Sequence, residues 1–553
     1  MPDTIITTGL VRTLDAEDKI AEAIAITGNR ILAVGTAAEL AARATEKTRL
    51  IDLPGATITP GINDAHAHME REGLKLRRPS LAGCRSIADI QALIREEARK
   101  TKPGQWIVTM PVGAPPFFFD ALAGLAEGRP PDRHDLDAAA PDHPVHIPGL
   151  FGNWGAPPGY SCLNSRALAL NNITSASKPS IAGIEIVKDE KGEPTGVIIE
   201  RNPRPMVEFD LLPAVPRFTA ADRRAGIVAS MRLYNGVGTT SAYEGHGSAA
   251  EIIGLYRDLW ERNELTVRLG LVVSPSWKDA GEAAVIMRDW LAQARGSGLG
   301  DPWFRLSGIH VAYGGDDRMA EIARKDLPNT GWSGFVEQAQ GPKDFEELCR
   351  LALFHDLRLN TIVADRLDEV VAILERVNEI APLAGKRWVI QHIARTERET
   401  LARLARLGVL VTTIPVYFLW KGGHWYDEAD GDRIVPMRTM LDLGIDAAAA
   451  TDNIPYNPGF TLWTMCERVR RSDGKVLGAA EKLTRREALQ ALTLSGARLT
   501  YDEHHKGPLA PGFLADLAVF DTDPLTVEAE RLKDLSSLLT MVDGRIVYER
   551  PQL

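Results

Sequence analysis

The sequence predicts a (β/α)8 barrel of the TIM type together with a small β-sandwich that both ends of the chain build. Three observations favour this α/β fold. Eight short apolar segments recur along the chain, stretches with helical periodicity separate most of them, and both ends carry hairpin signals. Strands that alternate with helices are typical of a parallel sheet, whereas hairpins at the two ends can share one antiparallel sheet.

The barrel strands are predicted from the apolar segments, because strands that are buried on both faces read as nearly continuous apolar runs. The eight predicted strands are residues 57–63, 237–243, 267–273, 305–311, 358–363, 387–391, 409–414 and 445–450. Amphipathic helices fill most intervals. At residues 367–380, for example, Leu367, Val370 and Leu374 fall on one helix face.

The interval after the first strand is too long for a plain connection between a strand and a helix. We therefore predict a barrel at residues 58–504 that carries a large insertion at 69–235, placed as a lid over the carboxyl-terminal mouth. Two-residue turns at Gly28-Asn29 and Asp543-Gly544 indicate hairpins. Residues 1–57 and 505–553 are accordingly expected to form one composite sandwich.

Composition excludes several classes of protein. The 553 residues carry a formal net charge of −10, so a broad positive field for nucleic acid or anionic membranes is not expected. Four cysteines are too few for a disulfide scaffold, and no basic and apolar leader or membrane-spanning apolar run is present. We expect a cytoplasmic protein with a small-molecule substrate. Exposed edges of the sandwich make a homo-oligomer plausible.

The strongest chemical signal is His66-Ala67-His68, which follows the first apolar strand. Residues two apart on a strand point to one face, so both imidazoles can reach one metal ion. Asp452 follows the last strand, where barrels place catalytic groups, and is equally well placed to cap a helix. His310 and His392 end two further strands, and either alone would read as a core histidine. Because these strand ends meet at one mouth, all five residues are expected around one point.

These motifs resemble those of the metal-dependent amidohydrolase superfamily, most closely its amidohydrolase family 3 branch, which includes N-substituted formamide deformylases. The resembling segments are residues 60–68, 236–241, 451–455 and 506–517, together with landmarks of the insertion between 81 and 168. The resemblance implies a barrel with a terminal sandwich and metal ligands from the first, fifth, sixth and eighth strands. By position, the ligands that it implies are His66, His68, His392 and Asp452.

Two positions depart from the family pattern. His310 lies where many relatives carry a carboxylated lysine that bridges two metal ions, and Thr361 lies where relatives carry a histidine on the fifth strand. A bridged two-metal centre is therefore not expected. We predict a single divalent ion, zinc, with His310 substituting for a lost ligand. The alternative is a non-catalytic barrel that has lost its metal.

The predicted activity is hydrolysis of a non-peptide C–N bond of the amide type. A divalent ion lets water ionise near neutral pH, and Asp452 would accept the proton and pass it to the leaving nitrogen. Whichever of His310 and His392 does not bind metal would stabilise the oxyanion. A metal-assisted deaminase, hydratase or decarboxylase on the same scaffold is the alternative, because a fold does not fix a reaction.

Aromatic side chains are frequent in the loops expected around the mouth. An aromatic lining suits a substrate with an apolar or aromatic group, although aromatic residues also serve to pack a long lid. The predicted substrate contacts are Trp154, Tyr417, Trp420 and Trp425. Lys421 and Arg433 could instead meet a substrate carboxylate.

Overall fold

The computed structural model describes residues 1–17, 19–115, 117–118, 122–149, 158–202, 206–315 and 340–551. These residues fall into two compact units. The first, called the barrel unit, comprises Met1–Met69 and the described residues from Val228 onward. The second, called the insertion unit, comprises the described residues of Glu70–Ile227.

The barrel unit contains eight parallel strands that follow one another around the sheet in chain order, which confirms the predicted barrel. Barrel strands 1 to 8 are Ile62–Asp64, Thr239–Ser248, Arg268–Val273, Phe304–His310, Leu359–Ala364, Val389–Ile393, Leu410–Thr413 and Ala447–Ala449. The first and the last barrel strand also approach each other. The Asp452 N–H, after strand 8, donates a hydrogen bond to the His66 carbonyl, after strand 1, at 2.9 Å.

The helices of the barrel unit turn an apolar face toward the strands. Helix Leu367–Ile380 has the predicted bounds, and its apolar positions, such as Val370 and Leu374, are buried. The other helices are Ala37–Ala41, Ala250–Glu261, Ala280–Ile286, Pro342–Phe354, Arg398–Leu407, Met437–Asp442, Pro458–Glu467 and Arg485–Leu499. Two helices, Met69–Leu74 and Ala220–Asn235, contain the points where the chain passes between the units.

Both ends of the chain contribute to one eight-stranded sheet in the barrel unit. Its strands are Thr4–Arg12, Ile20–Thr27, Arg30–Gly35, Arg49–Asp52, Thr57–Pro60, Leu517–Phe520, Ser537–Val542 and Arg545–Glu549. Thr57–Pro60 pairs antiparallel with Leu517–Phe520, so backbone hydrogen bonds join the two ends. Arg268 of barrel strand 3 forms buried ion pairs with Asp516 at 2.7 Å and with Asp543 at 2.8 Å, which fix this sheet to the barrel.

Two predicted strands differ from the structure in ways that affect the site. The apolar run at residues 57–63 is two strands, because Thr57–Pro60 pairs in the terminal sheet whereas Ile62–Asp64 pairs in the barrel. Gly61 lies between them, where a Cβ atom would overlap the Thr240 side chain. Barrel strand 2 runs to Ser248, beyond its predicted end at residue 243, and therefore includes His246.

The insertion unit has a sheet of its own. Its five strands are Ile107–Val108, Val145–Ile147, Gly159–Leu163, Ile184–Lys188 and Pro194–Glu200, and its helices include Ile87–Lys100, Arg133–Ala139, Ser165–Leu170 and Val207–Asp210. Ile90, Ile94 and Leu136 form part of its buried core. Across the described parts of both units, no helix is long and apolar enough to cross a bilayer.

Candidate metal centre

The candidate site lies at the carboxyl-terminal ends of barrel strands 1, 2, 6 and 8. His66, His68, His392 and Asp452 are buried there, as the sequence predicted them to be close together, and His246 is half-buried beside them. Two groups of three residues each offer ligand atoms that lie within 4.8 Å of one another. These groups are His66, His68 and His246, and His66, His392 and Asp452.

A hydrogen-bond relay fixes the tautomer of His66. The Nε2 of Gln391 donates to the Gly245 carbonyl at 2.7 Å, and a carbonyl oxygen can only accept. Gln391 Oε1 therefore faces His66 Nδ1 at 2.7 Å, so Nδ1 must carry the proton. The other ring nitrogen, Nε2, keeps its lone pair and lies 3.9 Å from Asp452 Oδ1.

Glu244 orients His68 in a similar way. Its Oε1 accepts hydrogen bonds from the Met69 N–H and the Tyr256 hydroxyl, both at 2.6 Å. Its Oε2 lies 3.4 Å from His68 Nδ1, which places the proton on that nitrogen. His68 Nε2 lies 3.4 Å from Asp452 Oδ1. The Nε2 atoms of both imidazoles thus face the same carboxylate oxygen, and imidazole and carboxylate ligands suit a divalent ion such as zinc.

The backbone of the site adopts an unusual conformation. His392 has a φ of 58° and Asp452 a φ of 49°, in the left-handed region that few residues other than glycine adopt. Such strain persists where the surrounding structure fixes it, and it concentrates at functional sites. Asp452 does not cap a helix, because the next helix begins at Pro458 with Asn457 as its N-cap. The capping interpretation of Asp452 is therefore wrong.

Burial shifts the pKa values of several groups at the site. It raises the pKa of Asp64 to about 7, against the hydrogen bonds that Asp64 accepts from Thr451. It lowers the pKa of His310 to about 3, with a further contribution from His392, so His310 is a neutral imidazole. It also lowers the pKa of Lys421 to about 7, although the nearby Asp452 carboxylate opposes this shift.

The two positions that depart from the family pattern are both buried. The His310 ring lies 4.7 Å from the His246 ring, measured between centroids. His310 belongs to neither group of converging ligand atoms found among the described residues. Thr361, on barrel strand 5, is buried and offers a hydroxyl rather than an imidazole.

The predicted aromatic contacts lie on two helical turns after barrel strand 7, Val416–Lys421 and Gly423–Trp425. The rings of Tyr417 and Trp425 are 5.3 Å apart, and Trp425 is 48% exposed. Lys421 Nζ lies 4.7 Å from the centre of the Tyr417 ring. Trp420 instead packs against Phe460, with 4.9 Å between the ring centroids. Trp154 lies outside the described residues.

Sequence reasoning did not find three residues of this site: Glu244, His246 and Gln391. A signal was present for two of them. Gln391 ends one predicted apolar strand and Glu244 directly follows another, and an unexplained polar side chain in such a place calls for a partner. His246 lies between two glycines, beyond the end of the predicted strand at residue 243, and no local pattern marked it.

Comparisons with known proteins show which family the chain belongs to. A model of the amidohydrolase family matches residues 49–548. The chain belongs to the amidohydrolase family. The predicted family, and with it the predicted metal-dependent hydrolase of C–N bonds, is therefore confirmed at the level of the family.

The matches between this amidohydrolase and individual relatives cover nearly the whole chain. It is similar to the N-substituted formamide deformylase of Arthrobacter pascens, with 26% identity over 597 residues that cover 100% of this chain and 99% of the relative. A metal-dependent hydrolase of Pyrococcus horikoshii has a similar fold, with a TM-score of 0.67 and 19% identity. The match covers 95% of this chain and 99% of the hydrolase. An adenosine deaminase of Xanthomonas campestris with bound zinc also has a similar fold. Its TM-score is 0.52 and its identity 15%, and the match covers 100% of this chain and 94% of the deaminase.

Proposed function

We propose that this amidohydrolase cleaves the amide-type C–N bond of a small substrate that carries an apolar or aromatic group, with N-substituted formamides as the first class to test. The observation that supports this most is the convergence of His66 Nε2 and His68 Nε2 on Asp452 Oδ1, at 3.9 and 3.4 Å. The likeness to a formamide deformylase supports the substrate class.

The proposed cofactor is one zinc ion, which His66, His68, His392 and Asp452 would hold. Imidazole and carboxylate ligands suit zinc, and the similarly folded adenosine deaminase carries zinc. A single ion is proposed because barrel strand 4 ends in His310, and barrel strand 5 carries Thr361, where relatives with two ions have other ligands.

The ion, when bound, supplies a Lewis acid that polarises the substrate carbonyl and makes water more acidic. Asp452 accepts the proton of the attacking water and then delivers it to the leaving nitrogen. His310 remains neutral at working pH, since its pKa is lowered to about 3, and it can donate an N–H to the oxyanion. Gln391 and Glu244 hold the two imidazoles in the required tautomer.

Substrate binding is assigned to the aromatic turns after barrel strand 7. Tyr417 and Trp425 form an edge-to-face pair, and the exposed part of Trp425 offers an apolar surface. Trp420 is expected to support this pair through its contact with Phe460 rather than to touch the substrate. The predicted contact between Trp154 and the substrate stays a prediction.

The test combines metal content with a substrate panel. The purified protein should contain about one equivalent of a divalent metal. It should convert alkyl- and aryl-substituted formamides or acyl amides into amine and carboxylic acid in equal amounts. Asp452→Asn should lower kcat by roughly 10²–10⁴-fold. The matched control Asp442→Asn, at a half-exposed carboxylate on helix Met437–Asp442, should leave kcat unchanged.

Three outcomes would contradict the proposal. A metal content near zero that His66→Ala does not change would favour the non-catalytic alternative. Release of ammonia without a carboxylic acid would favour a deaminase. Release of CO2, or a hydration product alone, would favour a decarboxylase or a hydratase.

A further inference from the structure

We propose that His246 is a metal ligand, so that barrel strand 2 supplies an imidazole in place of the one that barrel strand 5 lacks. The inference rests on the proposed function, since it concerns the same ion. Its first support is distance: one ring nitrogen of His246 lies within 4.8 Å of a ligand nitrogen of His66 and of His68. Both of those residues already direct Nε2 toward Asp452.

The backbone of barrel strand 2 is irregular where it carries His246. Glu244 pairs with Leu271, and the next pair is Ser248 with Val273. Three residues of strand 2 therefore stand opposite one residue of strand 3. Such bulges are frequent beside active sites, where they redirect a side chain. The bulge is thus the local feature that sets the direction of the His246 side chain.

Both neighbours of His246 are glycines, and a Cβ atom at either position would crowd a neighbouring residue. A Cβ atom on Gly245 would lie 2.6 Å from Gln391 Oε1, the atom that accepts from His66. Gly247 has a φ of 83°, and a Cβ atom there would lie 2.9 Å from Ser274. The Gly245 carbonyl also accepts from Gln391 Nε2. One glutamine side chain therefore fixes both the His66 ring and the backbone next to His246.

A ligand set of His66, His68 and His246 would replace the set of His66, His68, His392 and Asp452 given above, and it leaves Asp452 with proton transfer as its only role. Catalytic zinc sites use three protein ligands and keep a further position open. With three imidazoles as ligands, the Asp452 carboxylate beside them remains available for proton transfer, and it partly balances the charge of the ion. The rival set of His66, His392 and Asp452 omits His68, although His68 Nε2 is only 3.4 Å from Asp452 Oδ1.

The first experiment compares zinc affinity in the wild type, His246→Ala and His392→Ala, measured by competition with a chromophoric chelator. Loss of a ligand should weaken zinc binding by more than the ~10–100-fold that loss of an outer hydrogen-bond partner costs. We expect a loss above ~100-fold for His246→Ala and a smaller loss for His392→Ala. Circular dichroism and thermal melting of the metal-free proteins report whether each variant folds.

The second experiment detects the bond itself. In His246→Cys loaded with cobalt(II), a thiolate ligand should produce a sulfur-to-cobalt charge-transfer band in the near ultraviolet. We expect no such band in the wild type, because none of its four cysteines belongs to either group of converging ligand atoms among the described residues. The matched control is His504→Cys, whose side chain is 84% exposed, and it should give the wild-type spectrum.

The outcomes separate this inference from the proposed function. If the wild type binds zinc and His246→Ala binds it equally tightly, the inference is overturned while the proposed function stands. Cobalt binding by His246→Cys without the charge-transfer band overturns it as well. A wild type that binds no divalent ion refutes the proposed function, and the inference with it.

Discussion

Gln391 offers a sharp test of the metal centre, because it never touches the ion and yet determines which nitrogen of His66 can bind it. Its Oε1 accepts from His66 Nδ1, and its Nε2 donates to the Gly245 carbonyl, both at 2.7 Å. Gln391→Leu removes both interactions. We expect zinc affinity to fall ~10–100-fold, equivalent to about 1.4–2.8 kcal/mol. The metal-free protein should lose about 1–3 kcal/mol of stability, since the buried carbonyl loses its donor.

Gln391→Glu separates the two effects. The carboxylate still accepts from His66 Nδ1, so zinc affinity should stay close to the wild-type value, whereas the Gly245 carbonyl again loses its donor. Chelator competition measures the affinity, and urea unfolding of the metal-free proteins measures the stability. Wild-type affinity in Gln391→Leu, or an equal loss of affinity in both variants, would refute the assignment of the His66 tautomer.

Three further predictions concern buried charges. Glu244→Gln should weaken zinc binding roughly tenfold in the same chelator assay, because a carboxylate orients His68 better than an amide does. Arg268→Met should lower the free energy of unfolding by about 3–5 kcal/mol in urea titrations, because it leaves Asp516 buried without its cation. Burial raises the pKa of Glu200 to about 7, so the folded state binds the proton more tightly than the unfolded chain does. The free energy of unfolding should therefore fall as pH rises from about 4 to about 7, and thermal melts of Glu200→Gln should lack this loss.

Each of these predictions can fail in its own way. Tyr256→Phe removes one hydrogen bond to Glu244, so an effect on zinc affinity larger than that of Glu244→Gln would contradict the role of the carboxylate. The double variant Arg268→Met, Asp516→Asn should regain part of the unfolding free energy that Arg268→Met loses. If it regains none, the loss does not come from the buried ion pair. Parallel melting profiles of Glu200→Gln and the wild type from about pH 5 to about pH 8 would show that Glu200 titrates normally.

The barrel was predictable because parallel strands buried on both faces leave an apolar signature that survives in a single sequence. All eight predicted strands overlap an observed barrel strand, yet their ends differ by a few residues. The end of a strand depends on pairing with distant residues, which the local pattern does not contain. The split at Gly61 is an example, because it follows from pairing with Leu517–Phe520 on one side of the glycine and with barrel strand 2 on the other.

The site was predictable to the extent that its residues follow directly after strands. His66, His68, His392 and Asp452 could be placed together, because the carboxyl ends of barrel strands share one mouth. The hydrogen-bond partners of these residues could not be derived in the same way. Gln391 sits inside a strand and contacts His66 across the barrel, so only the folded chain reveals their relation.

The order of strands explains why a ligand from strand 2 can replace one from strand 5. In the barrel, strand 1 pairs with strand 2 on one side, where Asp64 aligns with Ala242, and approaches strand 8 on the other. Beyond this pair on strand 2, Glu244 orients His68, and the bulge before Ser248 directs His246 to the proposed ion. Strand 5 lies across the barrel and has Thr361 at the position where the family pattern has a histidine. A metal centre that depends on strand 1 can therefore take its remaining ligand from an adjacent strand, provided that a bulge and two glycines let the backbone come close enough.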